Sequence, residues 1–242
     1  MNTEVIYSGD FFGRHIEGAV RSARVVVPLV QSIVPVNSVI DVGCGLGVWA
    51  AEFLLNGVPD AWGVDGDYVQ RSQLRIPPER FLARDLTQPF RIDRRFDLAV
   101  CLEVAEHLPT SRAAGLVDDL TRLAPCVLFS AAVPGPTGTH HINSQYLPYW
   151  VEHFQRRGYE VIDPIRPQIW GNDSVEWFYQ ENIVMCVERN HVLLSRNFPK
   201  PQTIIHQQLY EQVLHSTPTL RMIAKAFPEA VRRSLRYHFN NS

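Results

Sequence analysis

The chain has 242 residues, 45% of them hydrophobic and 20% charged, with a formal net charge of −2. That length can bury one large core, and the near-neutral charge gives no reason to expect nucleic acid as the main partner. No apolar run approaches the ~20 residues of a bilayer span, and Met1-Asn2-Thr3-Glu4 opens no basic-then-apolar leader, so a cytoplasmic protein is expected.

In chain order, Gly13–Val34 places Ala19, Val20, Ala23, Val27, Val30 and Val34 at helical spacing, with Pro28 as a point where the helix can kink. Strand-like runs follow at Ser38–Gly43, Ala61–Asp65, Phe81–Asp85, Phe96–Leu102, Cys126–Ala132, Tyr159–Pro164 and Ile183–Val187. Helical runs lie between them at Leu46–Asn56, Asp67–Arg75, Ser111–Leu123 and Ser144–Arg157. Alternation of this kind predicts an α/β doubly wound, Rossmann-like sheet of seven strands, covered by helices on both faces. The last two strands are separated only by Arg166–Glu181, rich in Trp, Pro, Gly and Asn. That predicts a closing pair with an elaborated loop and an antiparallel final strand. Cys44, Cys101, Cys126 and Cys186 show no C-x-x-C spacing and read as buried reduced thiols.

Residues 190–242 hold seven Lys/Arg against two acids, whereas the first 189 carry 16 basic and 23 acidic residues. The expected organisation is a body over 1–189, with a nucleotide-binding core over 35–133, and a basic helical arm over 190–242 that is not an independent domain. Within the arm, Pro218 and Pro228 mark helix starts. Leu220, Ile223, Ala224, Phe227, Val231 and Leu235 form one stripe, and Arg221, Lys225, Arg232 and Arg236 another. Such an arm packs on the body or on a second copy, or touches an anionic surface.

The most informative segment is Asp41-Val42-Gly43-Cys44-Gly45-Leu46-Gly47-Val48-Trp49. A strand that breaks into glycines and opens a helix lets backbone N–H groups approach a ligand closely. The spacing is G-x-G-x-G, not the G-x-G-x-x-G of a nicotinamide dehydrogenase. Acids then recur in order: Asp65 before Gly66 at the end of the next strand, Asp85 before Leu86, and Glu103 and Glu106 in Phe96–Pro109.

This succession resembles the class I S-adenosylmethionine-dependent methyltransferases over Val36–Glu188, specifically the type 11/23-like small-molecule and glycan branch that includes the ubiquinone and menaquinone methylases. The resemblance implies S-adenosyl-L-methionine as cofactor. It places Asp41, Gly43, Cys44, Gly45 and Gly47 around the methionine moiety, and Asp65 with Gly66 at the ribose. Asp85 and the Leu86 backbone would face the adenine, and Cys101, Leu102 and Glu103 the floor near the reacting methyl.

Methyl transfer from a sulfonium is an in-line displacement, so the protein mainly aligns the reactants and, for a hydroxyl acceptor, removes a proton. Histidine suits that task. His107 ends the Glu103–His107 run, and His140 and His141 lie in the loop Gly135–Tyr146, which falls on the edge of the sheet where ligands bind. This loop is similar to a segment of bacterial surface-glycan and secondary-metabolite methyltransferases with a His-x-Asn-x-Gln string. His141 is the first candidate for general base, His107 the second, with Glu103 beside them. Glu103, Glu106 and His107 are compatible metal-ligand types, but three residues in one turn usually face different ways, so no metal is expected. The aromatic run Pro167–Gln180 reads as a carbohydrate-stacking wall, or as a folded lid or dimer contact. The expected function is O-methylation of a small molecule or glycan, with N- or C-methylation as the nearest rival. A dehydrogenase, or an inactive S-adenosylmethionine-binding protein, is more remote. No nucleic-acid partner is expected; a homodimer is compatible.

Overall fold

The computed structural model describes residues 9–135 and 138–215, with only the backbone described for 9–15. Seven strands form one sheet in the order β3-β2-β1-β4-β5-β7-β6. They are β1 (Ser38–Val42), β2 (Asp60–Asp65), β3 (Phe81–Ala83), β4 (Leu98–Leu102), β5 (Cys126–Ser130), β6 (Tyr159–Ile162) and β7 (Val184–Glu188). β1 to β5 pair in parallel, and β7 runs antiparallel to both β5 and β6. The expected closing pair is therefore present, with β7 wedged between β5 and β6.

The central strands are buried on both faces, so their sequences are continuous apolar runs without polar alternation. Successive side chains still divide between two layers. Val39, Leu98, Val100 and Leu128 join one apolar layer, whereas Ile40, Val42, Ala99, Cys101 and Val127 join the other. The first layer also takes Val26, Val27 and Val30 of α1 (Gly9–Ile33) and Ala50 and Phe53 of α2 (Val48–Leu55). The second takes Leu116 and Leu120 of α3 (Ala113–Leu123) and Trp150 and Phe154 of α4 (Leu147–Gln155). All four cysteines are buried and unpaired.

α1 is one helix with Pro28 inside it. Pro28 lies on the exposed side, as does Arg24, so the Arg24 carbonyl that proline leaves without its helical N–H partner can reach water. The helix expected over Asp67–Arg75 is not formed. Only a single 3₁₀ turn, Arg71–Gln73, occurs there. Ile76 precedes Pro77 and is biased away from helix, and the Arg75 N–H is committed to the Leu46 carbonyl at 2.8 Å. The segment thus folds back onto the glycine turn.

The stretch between β6 and β7 carries two short helices, α5 (Arg166–Ile169) and α6 (Trp177–Asn182). It is fastened to α1 by the Arg21–Glu176 ion pair at 2.8 Å and by the Glu176 N–H donating to Ser22 Oγ at 2.9 Å. Buried Gln180 accepts from Gly171 N–H at 2.7 Å and donates to the carbonyls of Asn172 and Val175.

The chain divides into two compact units after His206. Residues 190–206, assigned to the arm from charge, lie in the first unit. Asp163 N–H donates to the Pro199 carbonyl at 3.0 Å, and buried Arg166 reaches both Asp163 and the Gln202 carbonyl. The second unit begins with α7 (Gln207–His215). The helix starts at Pro218 and Pro228, and the two stripes beyond them, lie outside the described residues.

Candidate active site

Of the predicted donor residues, Asp41, Gly43, Cys44, Gly45, Gly47, Asp65 and Gly66 lie at the C-terminal edge of β1 and β2, where doubly wound sheets bind ligands. Asp65 closes β2. Its Oδ2 accepts the Gly45 N–H at 2.7 Å, and its Oδ1 accepts the Gly66 N–H at 2.7 Å and the Tyr68 hydroxyl at 2.5 Å. One buried carboxylate thus ties the glycine turn to the end of β2. Three glycines carry the turn's geometry, and Gly47 (φ +78°), which opens α2, has the Ile76 side chain 3.0 Å from where its Cβ would be. Gly43 has φ +79°, and a Cβ there would meet the Val104 side chain at 2.3 Å. Gly45 has φ +53°, and nothing lies within 4 Å of where its Cβ would be. The turn is therefore packed shut on one side and open on the other, which leaves space for a ligand to lie against its backbone.

Asp41 is 2% exposed, and its Oδ2 has no hydrogen-bond partner. Burial pushes its carboxyl up to about 8, against the Ala50 N–H, which pulls it down, and with the Asp65 charge, which adds to the rise. An orphaned buried carboxylate oxygen beside an open glycine turn fits the amino group of a donor amino acid. Cys44 is buried, its thiol held well above its usual range by burial. Asp85 is exposed just past β3 and accepts from Thr87 N–H at 2.9 Å and Thr87 Oγ1 at 2.7 Å, the geometry of an Asx turn. Leu86 is buried. Its carbonyl accepts from Arg112 Nε at 2.9 Å, and Arg112 pairs with Asp119 of α3, which fixes this loop to the helix.

The second group stands past β4 and β5. Cys101 and Leu102 face opposite apolar layers. Glu103 has φ +55°, rare for a residue with a side chain, and conformations of this sort concentrate at functional sites. Its N–H is held by Ser130, through Oγ at 3.1 Å and the carbonyl at 3.2 Å. Asn182 Nδ2 donates to its Oε1 at 3.4 Å. Burial raises both Glu103 and Glu106, and the closeness of Glu106 raises Glu103 further.

His107 and His141 meet edge to face, ring centroids 4.8 Å apart. Burial lowers both imidazoles below their usual value. His107 falls to about 4, with the neighbouring His141 adding to the fall and the His140 carbonyl opposing it. Both rings are therefore uncharged at neutral pH. His140, expected in the same loop, is exposed with φ +60°.

Several contributors escaped the sequence reading. The Ile142 and Asn143 N–H groups both donate to the Glu106 carbonyl at 2.9 Å. Buried Asn143 accepts from Thr110 Oγ1 at 3.0 Å and from Gln145 Nε2 at 3.2 Å. These bonds latch the histidine loop onto the turn after β4. Asn143 and Gln145 stand in the string beside His141, where an anchoring role for the loop is readable but its partners are not. Ser130 and Asn182 carry no signal at all, since their roles exist only once β5 and α6 are in place. Tyr179 is buried edge to face with Trp49 at 5.1 Å. The aromatic run is thus partly packed inside, although Trp170 stays 47% exposed.

Sheet order, the glycine turn and the acids at the ends of β1 and β2 together define a class I S-adenosylmethionine-dependent methyltransferase, with S-adenosylmethionine as its cofactor. A family model described as "Methyltransferase domain" matches residues 13–157, and the chain belongs to that family. Similar solved structures include magnesium protoporphyrin IX methyltransferase (ChlM) from Synechocystis PCC 6803 with bound SAH. It is 19% identical at TM-score 0.53, over 75% of this chain and 89% of that one. Streptomyces venezuelae DesVI is 16% identical at TM-score 0.57, over 78% and 99%. The sugar N-methyltransferase KedS8 from Streptoalloteichus sp ATCC 53650 is 18% identical at TM-score 0.56, over 76% and 93%. No curated protein matches the sequence. Among the described residues no helix is long and apolar enough to cross a membrane.

Proposed function

We propose that the enzyme methylates a hydroxyl of a small molecule or glycan, in the cytoplasm and without nucleic acid. The observation that carries this reading is the edge-to-face contact between two imidazoles, His107 on the turn whose Val104 packs against Gly43 of the donor loop and His141 on the loop after β5. When bound, S-adenosylmethionine supplies an already activated methyl group. The residues of the chain have then to hold the acceptor oxygen in line and relieve it of its proton. His107 and His141 are the groups available for that, and Glu103, braced by Ser130 and Asn182, forms the adjoining floor.

A second reading, N-methylation, is favoured by the depressed basicity of His107: an amine needs little help losing its proton, and KedS8 is a sugar N-methyltransferase.

The test is transfer of labelled methyl from S-adenosylmethionine into native cell extract, fractionated into glycan, lipid, small-molecule, protein and RNA pools. Label should enter the glycan or small-molecule pool at an oxygen, and His141→Ala should lose at least 100-fold in rate while binding S-adenosylhomocysteine as before. Label on nitrogen, or in protein or RNA, would sink the reading.

A further inference from the structure

We propose that Glu106, His107 and His141 form a binding site for a divalent first-row transition-metal ion. One ligand atom from each residue lies within 4.8 Å of the other two. Glu106 is 0% exposed, and neither of its carboxylate oxygens has a hydrogen-bond partner. The Glu106 and Ala132 N–H groups and the Glu103 carboxyl lie near enough to act on that carboxyl, without reaching bonding geometry. His107 Nδ1 and His141 Nδ1 are likewise buried and unpartnered. Each such orphan costs roughly 1–3 kcal/mol, and buried polar groups in folded proteins are nearly always satisfied. A carboxylate oxygen of Glu106 and one nitrogen of each imidazole, within 4.8 Å of one another, are groups that a single cation would bind together.

The framework around the cluster is that of a supported ligand set. The Ile142 and Asn143 N–H groups clamp the His141 loop to the Glu106 carbonyl, so the two loops are held at a fixed approach. Gly138 has φ +102°, and a Cβ on it would run into the His141 ring at 2.1 Å. That position must stay bare for the imidazole to take its place. Atoms bound tetrahedrally at about 2.0–2.1 Å stand roughly 3.3 Å apart, so occupation requires closure of about 1.5 Å, within the reach of side-chain rotation.

Two imidazoles and one carboxylate favour zinc, cobalt, nickel, iron or manganese over magnesium or calcium, which prefer all-oxygen shells. Three protein ligands leave positions open to water or an acceptor oxygen. This role rests on the hydroxyl-acceptor reading: a bound ion weakens the O–H bond of the acceptor. His107 and His141 then hold the ion, and the proton leaves to water.

Binding is tested first without donor or acceptor. The untagged full chain is stripped with chelator, then titrated with Co²⁺ by visible absorption, with Zn²⁺ as competitor. One equivalent should bind, displaced by Zn²⁺, and affinity should fall at least 30-fold in Glu106→Gln and in His141→Ala. Both variants should keep wild-type affinity for S-adenosylhomocysteine, which guards against misfolding. Zn²⁺ should raise the melting temperature of the wild type and leave that of His141→Ala unchanged. Absence of a stoichiometric site, or Co²⁺ binding indifferent to both variants, overturns the proposal. The two readings fail separately: oxygen methylation by chelator-stripped enzyme removes the metal and leaves the imidazoles as direct bases. A Co²⁺ site in an enzyme that labels only nitrogen keeps the metal and removes the hydroxyl.

Discussion

The two halves of the site are built from different materials. The donor half, at the tips of β1 and β2, is mostly backbone: a glycine turn, two amide N–H groups held by Asp65, and the open face at Gly45. The acceptor half, past β4 and β5, is mostly side chain: Glu103, Glu106, His107 and His141, borne on two loops whose histidines are 34 positions apart. A shared donor is met by a backbone cradle that side-chain changes barely touch. The acceptor is met by side chains that can be exchanged without disturbing that cradle. Val104, seated against Gly43, is where the two halves touch.

The comparison breaks most sharply at that contact. Gly43→Val adds a β-branched side chain at φ +79° into space already held by Val104. S-adenosylhomocysteine affinity, measured calorimetrically, should fall at least 100-fold. Gly45→Ala meets nothing within 4 Å and carries only the strain of φ +53°, about 1 kcal/mol of stability. Its methyl enters the face assigned to the donor, so donor binding should weaken roughly 10-fold, more than that strain explains. Donor binding unchanged in Gly45→Ala would place the ligand elsewhere.

The next effect concerns the carboxyl of Asp41, raised to about 8 mainly by burial. Below the unfolded value near 3.8 both states hold the proton. Between there and about 8 only the folded state does, so stability falls as pH rises, by up to about 1.36 kcal/mol per unit. Asp41→Asn keeps an acceptor for the Ala50 N–H and removes the ionisation. In donor-free protein, melting temperatures of Asp41→Asn and wild type should lie close together near pH 4.5. They should then separate in favour of Asn toward pH 8, and parallel curves would show that Asp41 is not held in the protonated form.

These contrasts also explain what was legible beforehand. The seven strands were readable because buried parallel strands are uninterrupted apolar runs. The donor turn was readable because glycine spacing and a local strand-to-helix switch encode it within nine residues. The helix misassigned over Asp67–Arg75 failed through a distant commitment, the Arg75 N–H to the Leu46 carbonyl, which no local pattern announces. Likewise the charge step at residue 190 marked the end of the sheet, while the chain continues within the first unit to His206, held by Arg166 and Asp163. In the acceptor half the residue types were visible but their convergence was not. Sequence groups Glu103, Glu106 and His107, yet the cluster of ligand type is Glu106, His107 and His141, because the loop after β5 supplies the third member from a distance.

Asn143 isolates that last dependence. It joins the His141 loop to Thr110, accepts from Gln145 within that loop, and its Nδ2 reaches the Ala105 carbonyl at 3.4 Å. Asn143→Ala removes these while the two backbone bonds to the Glu106 carbonyl remain available. At about 1 kcal/mol for each net hydrogen bond, the loop should loosen without detaching. Methyl transfer should fall about 5–10-fold, donor affinity should stay within twofold, and amide exchange at Ile142 should quicken. A large loss of donor affinity in Asn143→Ala would mean that the loop supports the cradle as well, and that the two halves are not separable. A change confined to transfer would show that the latch serves the side-chain half alone, which is the division of labour the two constructions imply.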